Sequence, residues 1–201
     1  MGDEVRGRRV TAVVLHWNGV QHTLRCLECL SRQGVPDGTV LDILVVDNGS
    51  ADRDLNAFVE DHGGIRLLAL PENLGFAEGM NVGIRDALTR GVDFVWLLNN
   101  DAFVEPSCLG HLMAAMEALP ALMIATPRLL ALDGKEQHAG GRVDWASGDT
   151  GHCNADALRG HAVSGTWVTG TAPLIRTSGL HSAGLLDPEF FAYREDIDLC
   201  V

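Results

Sequence analysis

Four short apolar runs, each followed by a cluster containing Asn or Asp, constrain this chain more than any other feature. They are residues 9–16 (RVTAVVLH), 41–46 (LDILVV), 65–70 (IRLLAL) and 92–98 (VDFVWLL). Rich in Val, Ile and Leu, and short, they have the character of strands covered on both faces. Between them lie stretches with helical spacing. In 20–33 the apolar positions are Leu24, Leu27 and Leu30, with Cys26 between them; in 76–89 they are Met80, Val82, Ile84, Ala87 and Leu88. Residues 52–61 read as another helix, and Glu105-Pro106 opens one over 105–119. Connections of this length do not make hairpins. The pattern predicts an α/β fold, a mainly parallel central sheet with helices on both faces.

In a parallel sheet the strand C-termini share one edge. That edge collects Trp17-Asn18-Gly19, Asp47-Asn48-Gly49-Ser50, Asn73-Leu74-Gly75 and Asn99-Asn100-Asp101. Open α/β sheets bind ligands there, and a carboxylate at such a strand end is placed to hold a divalent cation against phosphate oxygens. Asn and Asp are also ordinary turn residues, and any one cluster reads equally as a turn. Four clusters on one rim, two of them with a carboxylate, favour a site.

The second half is patterned differently. Residues 122–132 are strand-like but broken by Pro127, 133–165 are rich in Gly and His with little periodicity, and 166–175 (TWVTGTAPLI) return to strand. A short helix or turn follows over 178–184, and a helix starts in 193–201. With no internal repeat and no linker, the reading is one domain over 1–201. Its part from about 105 to 201 is specialised relative to the β/α units of about 9–104.

The formal net charge of -12 excludes a general nucleic-acid-binding surface, because no basic stripe is available to neutralise phosphates. It leaves small phosphorylated ligands open, since a metal supplies positive charge locally. No apolar run reaches the length of a membrane span, and the first nine residues are charged. A cytoplasmic protein is the expectation, with Arg6, Arg8 and Arg9 as a weak basis for peripheral contact with an anionic membrane face.

The five cysteines are odd in number and irregularly spaced, which is no disulfide framework. Cys26-Leu27-Glu28-Cys29 lies inside a helical pattern without a second pair, so zinc would lack ligands. Asn48-Gly49-Ser50 matches a glycosylation acceptor but sits at the end of a buried strand. G-x-G-x-x-G after the first strand, the P-loop and the G-x-S-x-G elbow are all absent, so a nucleotide would be held by strand-end side chains and a metal. His138 and His152, in the loop-like region, read as surface histidines.

Five segments taken together resemble a known family: VVLHWNG (13–19), VVDNGS (45–50), PENLGFA (71–77), LLNND (97–101) and FFAYREDIDLC (190–200). In this order they are similar to a family 2 glycosyltransferase of the GT-A fold, of the rhamnosyltransferase-like kind. The resemblance implies that Asp47 binds the base or ribose of the donor nucleotide. Trp17, Asn18 and Asn48 lie beside it, Asn73 and Gly75 line the same pocket, and Gly75 permits close backbone approach. Asn99-Asn100-Asp101 stands where the family has D-x-D. Asp101 is then the ligand for Mg²⁺ or Mn²⁺ on the diphosphate. Asn99 keeps an acceptor oxygen without the charge and is expected on sugar or ribose hydroxyls, with Asn100 completing the motif.

Glu195-Asp196-Ile197-Asp198 reads, on its residues alone, as the acidic first turn of a helix. The resemblance makes Asp196 the catalytic base, with Glu195 as the alternative base or an acceptor-side group. It also implies a nucleotide-binding half over about 9–104 and an acceptor-side half over about 105–201, in which Thr169-Gly170-Thr171-Ala172-Pro173 lies beneath the acceptor, with a packing role equally open, and that further chain follows Val201, which would make 1–201 incomplete on the acceptor side. The implied function is inverting transfer of a sugar from a UDP-, dTDP- or GDP-sugar to a hydroxyl of a glycan or lipid-linked acceptor. A catalytically incompetent nucleotide-sugar-binding domain is the alternative, motivated by Asn99. A nucleotidyltransferase is disfavoured by the absence of a Gly-rich, basic first loop.

Overall fold

Side-chain alternation along three central strands builds two apolar layers, one on each face of a sheet. In a computed structural model that describes residues 7–51, 55, 59–60, 63–131, 134, 140–152 and 167–201, these strands are β1 (Arg8–His16), β2 (Thr39–Asp47) and β4 (Phe94–Asn99). Val10, Ala12 and Val14 of β1, Ile43 and Val45 of β2, and Phe94, Trp96 and Leu98 of β4 face one core. Helices α1 (Val20–Ser31) and α3 (Cys108–Ala118) close it through Leu27, Leu30, Leu109 and Met116. Val13, Leu15, Leu44, Val46, Val95 and Leu97 face the other, closed by α2 (Gly75–Thr89) with Met80, Ile84 and Ala87. Apolar side chains on both faces explain why the strands read as continuous apolar runs.

With β3 (Ile65–Ala69) the sheet order is β3-β2-β1-β4-β9-β5, where β5 is Ile124–Ala125 and β9 is Leu174–Arg176. The first four strands are mutually parallel, and β9 runs antiparallel between β4 and β5. A second, three-stranded sheet contains β6 (Gly140–Val143), β7 (Thr150–His152) and β8 (Trp167–Val168). Helices α4 (Thr177–Ala183) and α5 (Glu195–Cys200) complete the described elements.

The expected α/β architecture, with helices on both faces, is observed. Only Leu55, Val59 and Glu60 of the expected helix over 52–61 are among the described residues, and all three are helical. Three expectations change. The run 166–175 is not one strand. Residues 169–173 leave extended geometry, so β8 joins the small sheet while β9 joins the main one. The strand-like stretch 122–132 keeps a two-residue strand, β5, and an isolated bridge at Leu130. The Gly- and His-rich region contains a β6–β7 hairpin, paired through Gly141–His152 and Val143–Thr150. His138 and Cys153 lie outside the described residues.

Cys26 is buried in α1, where burial, then the nearby Cys29 and Asp101 charges, push its thiol up to about 12. It stays a neutral packing group, as Cys108 does with its thiol pushed up to about 11 by burial and Glu105. No described helix is long and apolar enough to cross a membrane.

Candidate active site

Parallel register brings the strand ends together. His16 pairs with Asp47 across β1 and β2, and Leu15 pairs with Asn99 across β1 and β4. The loops beyond them are stitched by side chains. Asn18, in left-handed geometry with φ 57°, donates its backbone N–H to Ser50 Oγ at 2.9 Å and accepts the Ala51 N–H on its Oδ1 at 3.0 Å. The Ser50 N–H donates to Asp47 Oδ1 at 2.9 Å, which fixes the half-buried carboxylate at the turn. Trp17 stands exposed beside them.

Asn48 serves the shape of this rim. Its buried amide nitrogen donates to Asn73 Oδ1 and to the Gly75 carbonyl, both at 2.9 Å, and its Oδ1 accepts the Leu74 N–H at 3.0 Å. Asn73 Oδ1 also accepts the Gly75 N–H at 2.8 Å. Both amides therefore act inward, on the 73–75 loop, rather than presenting those atoms to solvent. Gly75 has φ 85°, and a Cβ there would meet the Phe191 ring at 2.7 Å.

At the end of β4 the three residues of the cluster have distinct settings. Asn100 Nδ2 donates to Thr23 Oγ1 at 3.1 Å, and the same hydroxyl lies 2.7 Å from Nδ1 of the fully buried His16. Asn100 thus locks the strand end to α1. Asn99 Oδ1 is buried without a hydrogen-bond partner, a state that normally costs about 1–3 kcal/mol. Asp101 is exposed.

The acidic pair at the start of α5 reaches the same region through residues 169–173. The Asn99 N–H donates to the Thr171 carbonyl at 3.0 Å, and the Gly170 N–H donates to Asp196 Oδ2 at 2.8 Å. Consecutive residues therefore supply the amide that holds Asp196 and the carbonyl that holds the β4 end. A Cβ at Gly170 would come within 3.2 Å of Asp196 Cβ, so the two backbones approach closely here. The Phe76 N–H donates to the Phe191 carbonyl at 2.6 Å, tying the 73–75 loop to the segment that precedes Asp196. In that segment Tyr193 (φ 73°) and Arg194 (φ 76°) are consecutive left-handed residues, each costing about 1–3 kcal/mol.

Glu195 and Asp196 differ sharply. Asp196 is half-buried with both oxygens hydrogen-bonded, the second to the Ile197 N–H at 2.8 Å. Glu195 is 6% exposed and Oε2 has no partner. It lines a small apolar crevice among Phe76, Leu97, Ile175, Leu186 and Leu199. Burial, reinforced by the Asp196 charge, holds its carboxyl above the ordinary value of 4.5.

Among the described residues no three His, Cys, Asp or Glu side chains cluster as a metal cage. At the β4 end the cluster supplies one exposed carboxylate, Asp101, beside two neutral amides. This set fits a cation held mainly by substrate phosphates, as Mg²⁺ commonly is, and does not fit a site built from protein alone.

Several of these contacts were not visible from residue types. The backbone donors of Ser50, Phe76 and Gly170 carry no residue signature. The His16–Thr23–Asn100 connection was signalled only by a His closing an otherwise apolar strand. His152, expected as a surface residue, is exposed in β7 with its ring edge-on to Trp167 at 5.2 Å.

The mainly parallel sheet, with its antiparallel β9 and polar strand-end rim, is the α/β architecture of the GT-A glycosyltransferases. The chain belongs to glycosyl transferase family 2, whose model matches residues 11–169; the Glu195–Asp198 cluster lies beyond the matched stretch. It is 32% identical over 168 residues to the pre-mycofactocin glycosyltransferase of Mycobacterium tuberculosis, covering 80% of this chain and 33% of that protein. It is 26% identical over 193 residues to the N-acetylglucosaminyl-diphospho-decaprenol L-rhamnosyltransferase of the same species, covering 79% and 59%. The chain thus spans between a third and about three-fifths of the lengths of these relatives. Among solved structures, S. aureus TarS aligns with TM-score 0.68 at 15% identity over 95% of this chain and 54% of that one. The mannosyltransferase PcManGT of Pyrobaculum calidifontis, in complex with GDP-Man and Mn²⁺, aligns with TM-score 0.67 at 17% identity over 96% and 51%.

Proposed function

We propose that this chain binds a nucleotide-diphosphate sugar and transfers its sugar, with inversion, to a hydroxyl of a glycan or lipid-linked acceptor. The observation that carries this reading is the 169–171 link. It sets Asp196 beside the end of β4 through the Gly170 N–H and the Thr171 carbonyl. A base and a diphosphate-holding strand end must flank one sugar, and these segments are 95 residues apart in sequence.

Asp47 takes the base or ribose of the donor, at the turn held by Ser50, with Trp17 and Asn18 beside it. The Asn48–Asn73–Gly75 arrangement shapes the wall of the pocket. Asn99 offers its unpartnered oxygen to a sugar or ribose hydroxyl. Asp101, with Asn99 near it, would hold Mg²⁺ or Mn²⁺, which when bound neutralises charge on the leaving diphosphate. Asp196 accepts the acceptor hydroxyl proton as that oxygen bonds to the anomeric carbon and the bond from that carbon to the diphosphate breaks. Glu195, buried against apolar side chains with its carboxyl raised above the ordinary value, is the alternative base or an acceptor-side group.

The relatives support the substrate class. One structural neighbour carries GDP-Man and Mn²⁺ and another UDP-GlcNAc, and a sequence relative is named for rhamnosyl transfer to a decaprenol-linked sugar. A lipid-linked acceptor would place the protein at the inner face of a membrane, reached from the cytoplasm. Asn99 in place of an acidic residue favours a second reading, a domain that binds the donor without turning it over. Release of UDP, dTDP or GDP from a panel of nucleotide sugars with Mn²⁺ separates the two. The enzyme reading expects release that falls by about 10²–10⁴-fold in Asp196→Asn while donor binding remains. Donor binding with no release in any combination would favour the second.

A further inference from the structure

The segment before Asp196 holds an aromatic ring in water by an unusual backbone. Tyr193 is 85% exposed and Phe191 is 62% exposed, in a chain whose residues are only 5% aromatic and include a single tyrosine. Tyr193 and Arg194 are both left-handed, a conformation that bulky residues avoid and that persists where surroundings enforce it. Here the enforcing contacts are identifiable. The Phe191 carbonyl accepts the Phe76 N–H, and the Arg194 carbonyl accepts the Asp198 N–H at 3.0 Å. The Arg194 Nη1 donates to Thr150 Oγ1 of β7 at 3.2 Å. None of them buries the Tyr193 ring. The strained bend thus presents the ring rather than packing it.

We propose that Tyr193, flanked by Phe191, is the platform on which the sugar ring of the acceptor lies while its hydroxyl meets Asp196. This rests on the transferase reading above and adds a specificity-determining residue to it. Tyr193 stands three residues before Asp196, in the exposed segment that leads into the helix bearing that carboxylate. A pyranose presents an apolar C–H face and a polar edge. An exposed aromatic next to carboxylates offers a surface for the first and hydrogen-bond acceptors for the second. The flanking Glu189, Asp196 and Asp198, in a chain of net charge -12, disfavour an anionic lipid surface as the occupant.

The single tyrosine makes the test direct. Chain labelled with 3-fluorotyrosine gives one ¹⁹F resonance, from Tyr193. It is titrated with methyl pyranosides of glucose, mannose, rhamnose and N-acetylglucosamine, and with the same sugars on a short isoprenyl diphosphate. Each titration is run with and without UDP, dTDP or GDP and Mn²⁺. A saturable shift with one sugar is expected, and the two carriers distinguish a free glycan from a lipid-linked one. Ligand-observed NMR then expects that sugar to bind about tenfold more weakly to Tyr193→Ala and within about twofold of the parent to Tyr193→Phe, with nucleotide affinity unchanged in both. Failure of every sugar to shift the resonance while nucleotide binds would overturn the platform. So would a response confined to phosphatidylglycerol vesicles or to a protein partner, or unweakened sugar binding by Tyr193→Ala. Absence of nucleotide binding under all conditions would instead remove the transferase reading, and the nucleotide-free titrations would still decide the platform.

Discussion

Glu195 and Asp196 are neighbours in sequence with opposite settings, and the difference is measurable. The Glu195 carboxyl sits in an apolar crevice with one oxygen unpartnered, and its pKa is raised above 4.5, first by burial and then by Asp196. Below the unfolded value both states are protonated and the group adds no penalty. As pH rises from there through the raised folded value, the unfolded chain releases its proton first, so stability falls with pH across that window. Glu195→Gln removes the titration. It is expected to melt above the parent at pH 8, with the difference shrinking towards pH 4; an offset equal at both pH values would refute this setting. At Gly75 the constraint is steric. With φ 85° and the Phe191 ring 2.7 Å from any Cβ, Gly75→Ala is expected to lose about 1–3 kcal/mol in denaturant unfolding. A loss below about 0.5 kcal/mol would mean that the 73–75 loop and Phe191 are not pressed together.

At the scale of elements, α2 shows how packing overrides helix propensity. Gly83 lies mid-helix, where Ala would ordinarily gain about 0.5–1 kcal/mol. Its Cα faces Val13 and Val46 so closely that a methyl group would overlap the Val13 side chain. Gly83→Ala is therefore expected to destabilise by about 1–3 kcal/mol, the cost of overpacking, and a stabilised variant would show that helix and sheet separate freely. The same contrast explains what was legible beforehand. β1, β2 and β4 could be read from sequence because both faces are apolar, and α2 because its stripe faces one core. The β6–β7 hairpin could not, because Gly140, Gly141 and Gly151 contribute no side chains to an alternation. The division of 166–175 into β8 and β9 was hidden for a related reason. Val, Thr and Ile favour strand throughout, while the turn is fixed by tertiary bonds from Gly170 to Asp196 and from Thr171 to Asn99. Of the rim, the strand-end positions of Asp47 and Asp101 were readable from spacing. The inward service of Asn48 was not, because an amide that clamps a loop and one that meets a ligand look alike in sequence.

The whole molecule carries a formal charge of -12, and the proposed donor carries a diphosphate. Bringing these together at a rim with Asp47, Asp101 and Asp196 is opposed by Coulomb repulsion unless positive charge is added locally. The proposed cation would serve this charge balance as well as the leaving group. Because the rim is built from segments between Asn18 and Asp196, a ligand bound there ties both halves of the chain, and its binding is read as global stability. A nucleoside diphosphate of the matching base at 100 times its dissociation constant is expected to stabilise by about 2.7 kcal/mol. In a chain of this size that raises Tm by about 5–10 °C. Asp101→Ala should remove the Mn²⁺-dependent part of this shift while leaving the unliganded Tm within about 2 °C, because the Asp101 side chain is exposed and such substitutions rarely change stability by more than about 0.5 kcal/mol. If Asp101→Ala kept the full Mn²⁺-dependent shift, the cation would sit elsewhere. Asn99, with its unpartnered oxygen, would then be the group to replace next, and restoring a carboxylate by Asn99→Asp should strengthen metal-dependent binding in the parent chain for the same electrostatic reason.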